Sequence, residues 1–314
     1  MLTVFAITLP VFAVMALGYI TVWRGLFAPA EMRTFGKFVL NIALPALLFG
    51  TLATRDLSEV LNPAYLAAYA LAGLATGAVA LAVLGAQGEG AARRAVGWIG
   101  VNSPNSAFIG FPLLTFLAPD IAGPVLAMNF LVENFLLVPI GLILLDQSKA
   151  TGAGALALLA RTIWGVLQRP LMIALLLGLA FAMTGLDLPA VAQRLLGFVG
   201  ASASALALFA VGGGLYGNPA RGNRGLAAQI TIGKLLIHPA LALAVLLIVP
   251  LPPLMATALV LSCALPMFTI YGVLVQGSGE EGVASLAMLW ANLAAVVTVT
   301  AALWYLQGWV QAAA

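Results

Sequence analysis

Long apolar segments run through this chain almost without interruption, and they restrict its possible folds more than any other feature. Ten of them come close to the roughly 20 residues that an α-helix needs to cross about 30 Å of hydrocarbon. Only 7% of the 314 residues are charged and 63% are hydrophobic, whereas a soluble domain carries about 25% charged residues. The sequence therefore predicts an all-α polytopic membrane protein with ten transmembrane helices, at approximately residues 2–22, 34–53, 62–84, 95–117, 121–145, 168–185, 195–216, 226–249, 254–275 and 284–308.

The distribution of basic residues predicts how these segments are oriented. Loops rich in Lys and Arg stay on the cytoplasmic side of a membrane. With the loops numbered from the N-terminus, the odd loops hold ten basic residues and the even loops two, so we expect the odd loops in the cytoplasm and both termini outside. The odd-loop residues are Arg24, Arg33, Lys37, Arg93, Arg94, Lys149, Arg161, Arg169, Arg221 and Arg224, and the even-loop residues are Arg55 and Arg194.

Weak internal similarity divides the ten segments into two sets of five. KFVLNIALPALLFGTL, from Lys37, aligns with GFVGASASALALFAVG, from Gly197, at a constant offset of 160, and ENFLLV of segment five resembles ANLAAV of segment ten. Both matches join segments that lie five apart, and an odd number of helices per repeat inverts the second half in the membrane. We therefore predict inverted repeats at residues 1–150 (helices 1–5) and 151–314 (helices 6–10), with an amphipathic interfacial helix within 150–169.

Segment four contains the stretch that is most hostile to a continuous helix, VNSPNSAFIGFP at residues 101–112. Pro104 and Pro112 each lack a backbone N–H and obstruct the preceding turn. We expect two half-helices here, at a depth of about 16 Å, and the N-terminus of a half-helix carries a partial positive charge suited to an anion. The neutral polar side chains at this level are Asn102, Ser103, Asn105 and Ser106.

Segment nine repeats this pattern from the other surface. LVLSCALPMFTIYGVLV places Pro266 twelve residues after Leu254, about 18 Å into the membrane. A single proline is typical of a kink that local polar residues repair. Two broken helices at corresponding positions of inverted halves instead indicate a transport site.

Two ionisable residues are predicted near the midplane, with a third on the same helical face as one of them. Glu133 lies in segment five and Lys234 in segment eight, and His238 follows Lys234 by four residues on the same helical face. Ionisable side chains at this depth need a partner or a water-filled cavity. Two interpretations stay open: these residues help to couple or position a substrate, or Glu133 and Lys234 form a structural ion pair.

Four short motifs carry a resemblance to a known family. PNSAFIGFPLL in segment four resembles the fourth-helix motif of the auxin efflux carrier family, which includes the plant PIN proteins and bacterial permeases. NIALPALLF in segment two, GKLLIHPALAL in segment eight and ALPMFTIYGVL in segment nine are similar to the family's other signatures. The last of these most resembles the malonate-carrier-like bacterial branch, and the resemblance covers essentially the whole chain.

The resemblance implies a ten-helix fold like that of sodium/proton antiporters and bile-acid symporters, in which helices four and nine break and cross. Helices 1–2 and 6–7 would form a scaffold that dimerises, and helices 3–5 and 8–10 a moving transport domain. Pro104, Pro112 and Pro266 would form the structural crossover, with Asn105 meeting the carboxylate of the substrate. Because the four residues that follow Pro266 (Met267, Phe268, Thr269 and Ile270) include no Asn, auxin itself is not expected as the substrate. The substrate-binding residues expected from this match are Asn102, Ser103, Pro104, Asn105, Ser106, Pro266, Phe268 and Thr269.

The sequence and the resemblance together predict a secondary carrier for a small carboxylate-bearing organic anion, working by elevator-type alternating access in a bacterial cytoplasmic membrane. With one His, one Cys and no Gly-x-Ser-x-Gly, His-Glu-x-x-His or phosphate-loop motif, an enzyme, a metal site, a cofactor and a nucleic-acid partner are not expected. Two alternatives stay open. One is a sodium- or proton-coupled symporter or antiporter of the same architecture, and the other is a membrane sensor that binds its ligand without carrying it.

Overall fold

The computed structural model describes residues 2–55, 61–148, 155–217, 222–268 and 270–313. This part of the chain is all-helical, as expected for a backbone that must satisfy its hydrogen bonds internally in lipid. We number its helices α1 Leu2–Trp23, α2 Pro29–Leu52, α3 Pro63–Ala86, α4 Ala91–Val101, α5 Ser106–Leu117, α6 Pro119–Gln147, α7 Ala155–Leu167, α8 Pro170–Ala182, α9 Ala190–Gly214, α10 Arg224–Leu246, α11 Pro253–Ala264, α12 Tyr271–Leu274 and α13 Glu281–Ala313.

Seven of these helices are long and apolar enough to cross a membrane: α1, α2, α3, α6, α9, α10 and α13. The α7–α8 pair would be an eighth span, although its two helices meet at 74°. The predicted segments four and nine each consist of two shorter helices, α4 with α5 and α11 with α12, so length alone does not establish the expected count of ten.

Four of the helices contain a π-helical turn, and each turn ends two residues before a proline. The turns cover Val39–Ala43, Ser106–Gly110, Glu133–Leu137 and Gly233–Ile237, and the prolines are Pro45, Pro112, Pro139 and Pro239. A proline ring collides with the carbonyl four residues earlier, and a π-turn relieves that collision by widening the helix locally.

Pro112 therefore does not break its helix, contrary to our expectation. It lies inside α5, after the π-turn, and the N–H of Phe111 bonds to the carbonyl of Ser106 five residues earlier. Of the three prolines expected at the crossover, only Pro104 and Pro266 lie in non-helical segments.

The helices pack in two groups that share a long boundary. In the first group α9 packs on α1 and α2, and α2 packs on α8. In the second group α3 packs on α4, α6 and α10, and α13 packs on α10 and α11. Small residues allow close approach in the first group, since a Cβ on Gly212 of α9 would lie 1.8 Å from the carbonyl oxygen of Met15 in α1.

Candidate functional site at the helix crossing

The two broken helices meet at their breaks. The linker between α4 and α5 runs antiparallel to the linker between α11 and α12, with a bridge between Pro104 and Met267. The N–H of Asn105 donates to the carbonyl of Pro266 at 2.8 Å, and the N–H of Phe268 donates to the carbonyl of Ser103 at 2.9 Å. Each break thus supplies hydrogen-bond partners for the other, which is why irregular backbone is tolerated at this depth.

Asn105 forms the N-cap of α5 at this crossing. Its side chain is buried, and its Oδ1 accepts a hydrogen bond from the N–H of Phe108 at 3.2 Å. Because an N-cap requires the oxygen to face the helix, the amide nitrogen points elsewhere. No described residue accepts a hydrogen bond from that Nδ2. A free amide donor beside a helix N-terminus is suited to an anion.

Asn102 is the second crossing residue whose side chain has unused polar atoms. It is buried, and neither Oδ1 nor Nδ2 has a hydrogen-bond partner among the described residues. It packs against α3, where a Cβ on Gly73 would lie 3.1 Å from its Oδ1 and a Cβ on Gly77 would lie 2.7 Å from its Nδ2. These two glycines therefore allow α4 to bring Asn102 against α3.

The other predicted side chains at the crossing have local partners. The hydroxyl of Ser103 donates to the carbonyl of Ile99 at 2.5 Å, so it serves α4 rather than a ligand. Phe268 contributes its backbone N–H, and its side chain is half-buried. Thr269 lies outside the described residues, as do Lys149 and Arg221 of the orientation argument.

Glu133 is joined to the crossing through Ser106. Its Oε1 accepts hydrogen bonds from the hydroxyl of Ser106 at 2.5 Å and from the hydroxyl of Tyr69 at 2.7 Å. The carboxylate thus connects α6 to the first residue of α5 and to α3. A negative charge at that position is stabilised by the N-terminal dipole of α5.

A second polar cluster lies one turn away and was not predicted from the sequence. The hydroxyl of Tyr65 donates to Asn129 Oδ1 at 2.9 Å, and Asn129 Nδ2 donates to the hydroxyl of Ser262 at 2.9 Å. Tyr65 and Tyr69 are spaced by four residues on α3, and Asn129 and Glu133 by four residues on α6. That shared spacing is the signal that would have paired the two helices.

Lys234 belongs to α10 and lies on the other side of the crossing, where its side chain contacts the C-terminal end of α11. It is fully buried, and its Nζ donates to the carbonyl of Cys263 at 2.9 Å and lies 2.8 Å from Nδ1 of His238. The predicted common face of Lys234 and His238 is therefore present. A cation is stabilised at a helix C-terminus.

Glu133 and Lys234 do not form the structural ion pair that we considered. The ion pairs within the described part of the chain are Arg55–Asp120, Glu89–Arg93 and Arg93–Glu280. Glu133 and Lys234 instead hold separate ends of the two broken helices.

A cavity of about 250 Å³ lies between α3, α4 and α10, beside the crossing. It is lined mainly by apolar side chains, with Thr76 and Gln229 among its polar residues. The side chains of Asn105, Lys234 and His238 are each 2% exposed or less, so the crossing is closed in this conformation.

Comparison with known proteins places the chain in a family. A family model described as "Membrane transport protein" matches residues 3–305. The chain is 28% identical over 209 residues to "Uncharacterized transporter YfdV" of Escherichia coli (strain K12), covering 65% of the chain and 66% of that protein, which is just under two thirds of its length. It is 28% identical over 313 residues to "Putative malonate transporter" of Rhizobium meliloti (strain 1021), covering 96% of the chain and 95% of that protein. These names and the family indicate a transporter rather than an enzyme. The chain therefore belongs to the membrane transport protein family, which is the auxin efflux carrier family that its motifs resemble.

Proposed function

We propose that this membrane transporter is a secondary carrier for a small carboxylate-bearing organic anion, which binds at the crossing of the two broken helices. The observation that carries the proposal is the environment of Asn105. Its oxygen caps α5, its amide nitrogen has no acceptor among the described residues, and the N-terminus of α5 lies beside it. A carboxylate placed there would accept hydrogen bonds from a neutral amide and would gain from the helix dipole.

The proposed site combines neutral donors with buried charges. We propose that Asn102, Ser106 and the backbone around Pro104 and Pro266 shape the site, and that Phe268 and Thr269 complete it. Lys234 adds positive potential from the far side of the crossing, since it is buried and its nearest contacts are a carbonyl and His238. Glu133 and the Lys234/His238 pair then take part in coupling or in positioning the substrate. The name of the Rhizobium meliloti relative supports a carboxylate substrate.

We further propose ten spans in two inverted repeats and an elevator-type motion. The packing of α1, α2, α8 and α9 on one another supports a scaffold, and the packing of α3 to α6 and α10 to α13 supports a transport domain. The burial of Asn105 supports a movement of one group against the other, because a closed site cannot exchange its substrate without one. Dimerisation through the scaffold and an outward position of both termini in a bacterial cytoplasmic membrane belong to the same proposal.

The test uses purified protein in liposomes, with radiolabelled malonate as the probe. We expect saturable malonate uptake by the wild type. Asn105→Asp keeps an oxygen to cap α5 but replaces the amide donor with a carboxylate, so we expect it to abolish uptake while the melting temperature stays near that of the wild type. Asn105→Ala also removes the cap, so it should lose both uptake and about 1 kcal/mol of stability.

A matched control is Asn41→Ala in α2, which removes an exposed amide whose Nδ2 bonds only to the carbonyl of Lys37 one turn away. It should transport malonate as the wild type does. Full uptake by Asn105→Asp would refute the placement of the site, and malonate binding without uptake would favour a sensor over a carrier.

A further inference from the structure

Arg169 lies at a corner of the chain that the sequence assigns to a cytoplasmic loop. Helices α7 and α8 meet there at 74°, and Pro170 begins α8. The Nη1 of Arg169 donates to Oδ1 of Asn134 at 3.1 Å. The guanidinium group therefore lies against α6, at the residue that directly follows Glu133.

Two helix lengths support a position of this guanidinium deep in the membrane. Asn134 lies near the middle of α6, roughly 22 Å along the axis from Pro119 and roughly 20 Å from Gln147. Helix α8 has 13 residues, which cover about 20 Å of the roughly 30 Å of hydrocarbon. When its C-terminal end reaches one surface, Arg169 at its start lies about 10 Å inside the other.

The charge of Arg169 has no carboxylate partner in the described part of the chain. None of the ion pairs formed there includes it. The one hydrogen-bond partner of its guanidinium among the described residues, Asn134, is neutral and is already oriented, because Asn134 Nδ2 donates to the carbonyl of Phe130 at 3.0 Å. A guanidinium has five N–H donors, so most of its donors remain for another acceptor.

The protein covers this side chain only in part. Arg169 is exposed, whereas Asn134 beneath it is buried. A charged group at such depth faces a water-filled cavity or an opposite charge rather than lipid. The position of Arg169 thus indicates an aqueous edge of the site where the corner between α7 and α8 meets α6.

We propose that Arg169 is a second anion-binding residue of this carrier, which receives the substrate carboxylate at the α8 side of the site. The proposal rests on the proposed function, since it assumes an anionic substrate. A guanidinium binds a carboxylate through two parallel hydrogen bonds, and the carboxylate would displace the neutral Asn134. Helix α6 joins the two places, because Asn134 contacts Arg169 and the preceding residue, Glu133, bonds to Ser106, the neighbour of Asn105. The carboxylate of Glu133 is engaged elsewhere, since its Oε1 accepts hydrogen bonds from Ser106 and Tyr69.

The test measures malonate binding to the purified full-length protein by isothermal titration calorimetry, with Arg169→Gln, Arg169→Lys and Asn134→Ala. We expect Arg169→Gln to raise the Kd of malonate about tenfold to a hundredfold, as for the loss of a charge-assisted hydrogen bond. Arg169→Lys keeps the charge but lacks the two parallel N–H donors of a guanidinium, so its malonate Kd should lie between those of Arg169→Gln and the wild type. Asn134→Ala frees the guanidinium and should bind malonate as well as the wild type or better.

Arg161→Gln is the matched control, since it removes the same charge from α7, where the side chain of Arg161 is exposed and forms no ion pair with a described residue. It should leave the Kd unchanged. Equal malonate Kd values for Arg169→Gln and the wild type would overturn the inference. A loss of affinity in Asn134→Ala as large as that in Arg169→Gln would also overturn it, because the hydrogen bond between the two side chains would then be only structural. Absence of malonate binding by the wild type would overturn it as well.

Comparison with Asn105→Ala separates this inference from the proposed function. If Asn105→Ala loses binding and Arg169→Gln does not, the crossing site stands and Arg169 is excluded. If Arg169→Gln loses binding and Asn105→Ala does not, Arg169 binds the anion and the crossing site is excluded.

Discussion

Replacement of Gly77 by alanine tests whether the contact between α3 and α4 positions the crossing. A Cβ at residue 77 would lie 2.4 Å from Cζ3 of Trp98, 2.5 Å from its Cε3 and 2.7 Å from Nδ2 of Asn102. Non-bonded carbon atoms are best separated by about 3.5–4.0 Å. The indole would therefore have to retreat by roughly 1 Å.

The indole of Trp98 is poorly able to retreat on its own. It is buried, and its Nε1 donates to the carbonyl of Leu137 at 3.0 Å. Helix α4 must shift instead, and it carries Asn102 and the linker to Asn105 with it. Overpacking of this kind costs about 1–3 kcal/mol, and we expect Gly77→Ala to lower the melting temperature by several degrees and to raise the malonate Kd.

Thermal unfolding in detergent and calorimetric malonate titration measure the two effects. Gly85→Ala on the same helix is the control, because its nearest contact would be Arg94 at 3.6 Å, an ordinary van der Waals distance. A Gly77→Ala protein that melts and binds malonate as Gly85→Ala does would refute the argument that this close approach holds Asn102 in place.

Further predictions concern the scaffold, the buried charges and the membrane surface. Gly212→Ala should destabilise the protein by about 1–3 kcal/mol through a backbone collision. Gly214→Ala, with nothing within 4 Å of its Cβ, should be neutral or stabilising. Equal melting temperatures for the two variants would contradict the packing described for α9. Glu133→Gln keeps an acceptor for its two hydroxyl donors, so liposome uptake should fall while the fold is retained; Lys234→Met should also lose uptake, and normal uptake by both variants would exclude a role in transport. The carboxyl of Glu281 accepts hydrogen bonds from its own backbone N–H and from the backbone N–H of Gly277, the latter at 2.6 Å. These bonds hold the pKa of that carboxyl below its ordinary value of 4.5. A lowered pKa stabilises the folded state above the unfolded pKa, so this contribution should be present at pH 7 and disappear as the pH falls below 4.5. Glu281→Gln should therefore be less stable than the wild type at pH 7 and equal to it in acid, and a difference that persists in acid would contradict this.

The candidate site was only partly predictable from the sequence. The sequence could single out Asn105, Pro104 and Pro266, because prolines interrupt helices by a local mechanism and the expected depth of a residue follows from counting along its segment. Pro112 was misjudged, because whether a proline breaks a helix or only widens one turn depends on the surrounding packing. Tyr69 gave no signal of its own, since an aromatic residue in an apolar helix more often belongs to the core.

Local chemistry thus determined that this chain is helical, belongs in a membrane and has two interrupted apolar segments, because apolar runs and prolines act within a few residues. The tertiary structure alone decided which groups meet there. The linkers around Pro104 and Pro266 pair with each other, and the partners of Glu133 lie 27 and 64 residues away in the sequence. A spacing of four residues on each of two helices can suggest which helices pair, but it does not specify which distant groups meet, because that depends on how the helices pack. For the same reason Arg169, which looked like one more loop cation, was seen to lie against the middle of α6 only in the folded chain.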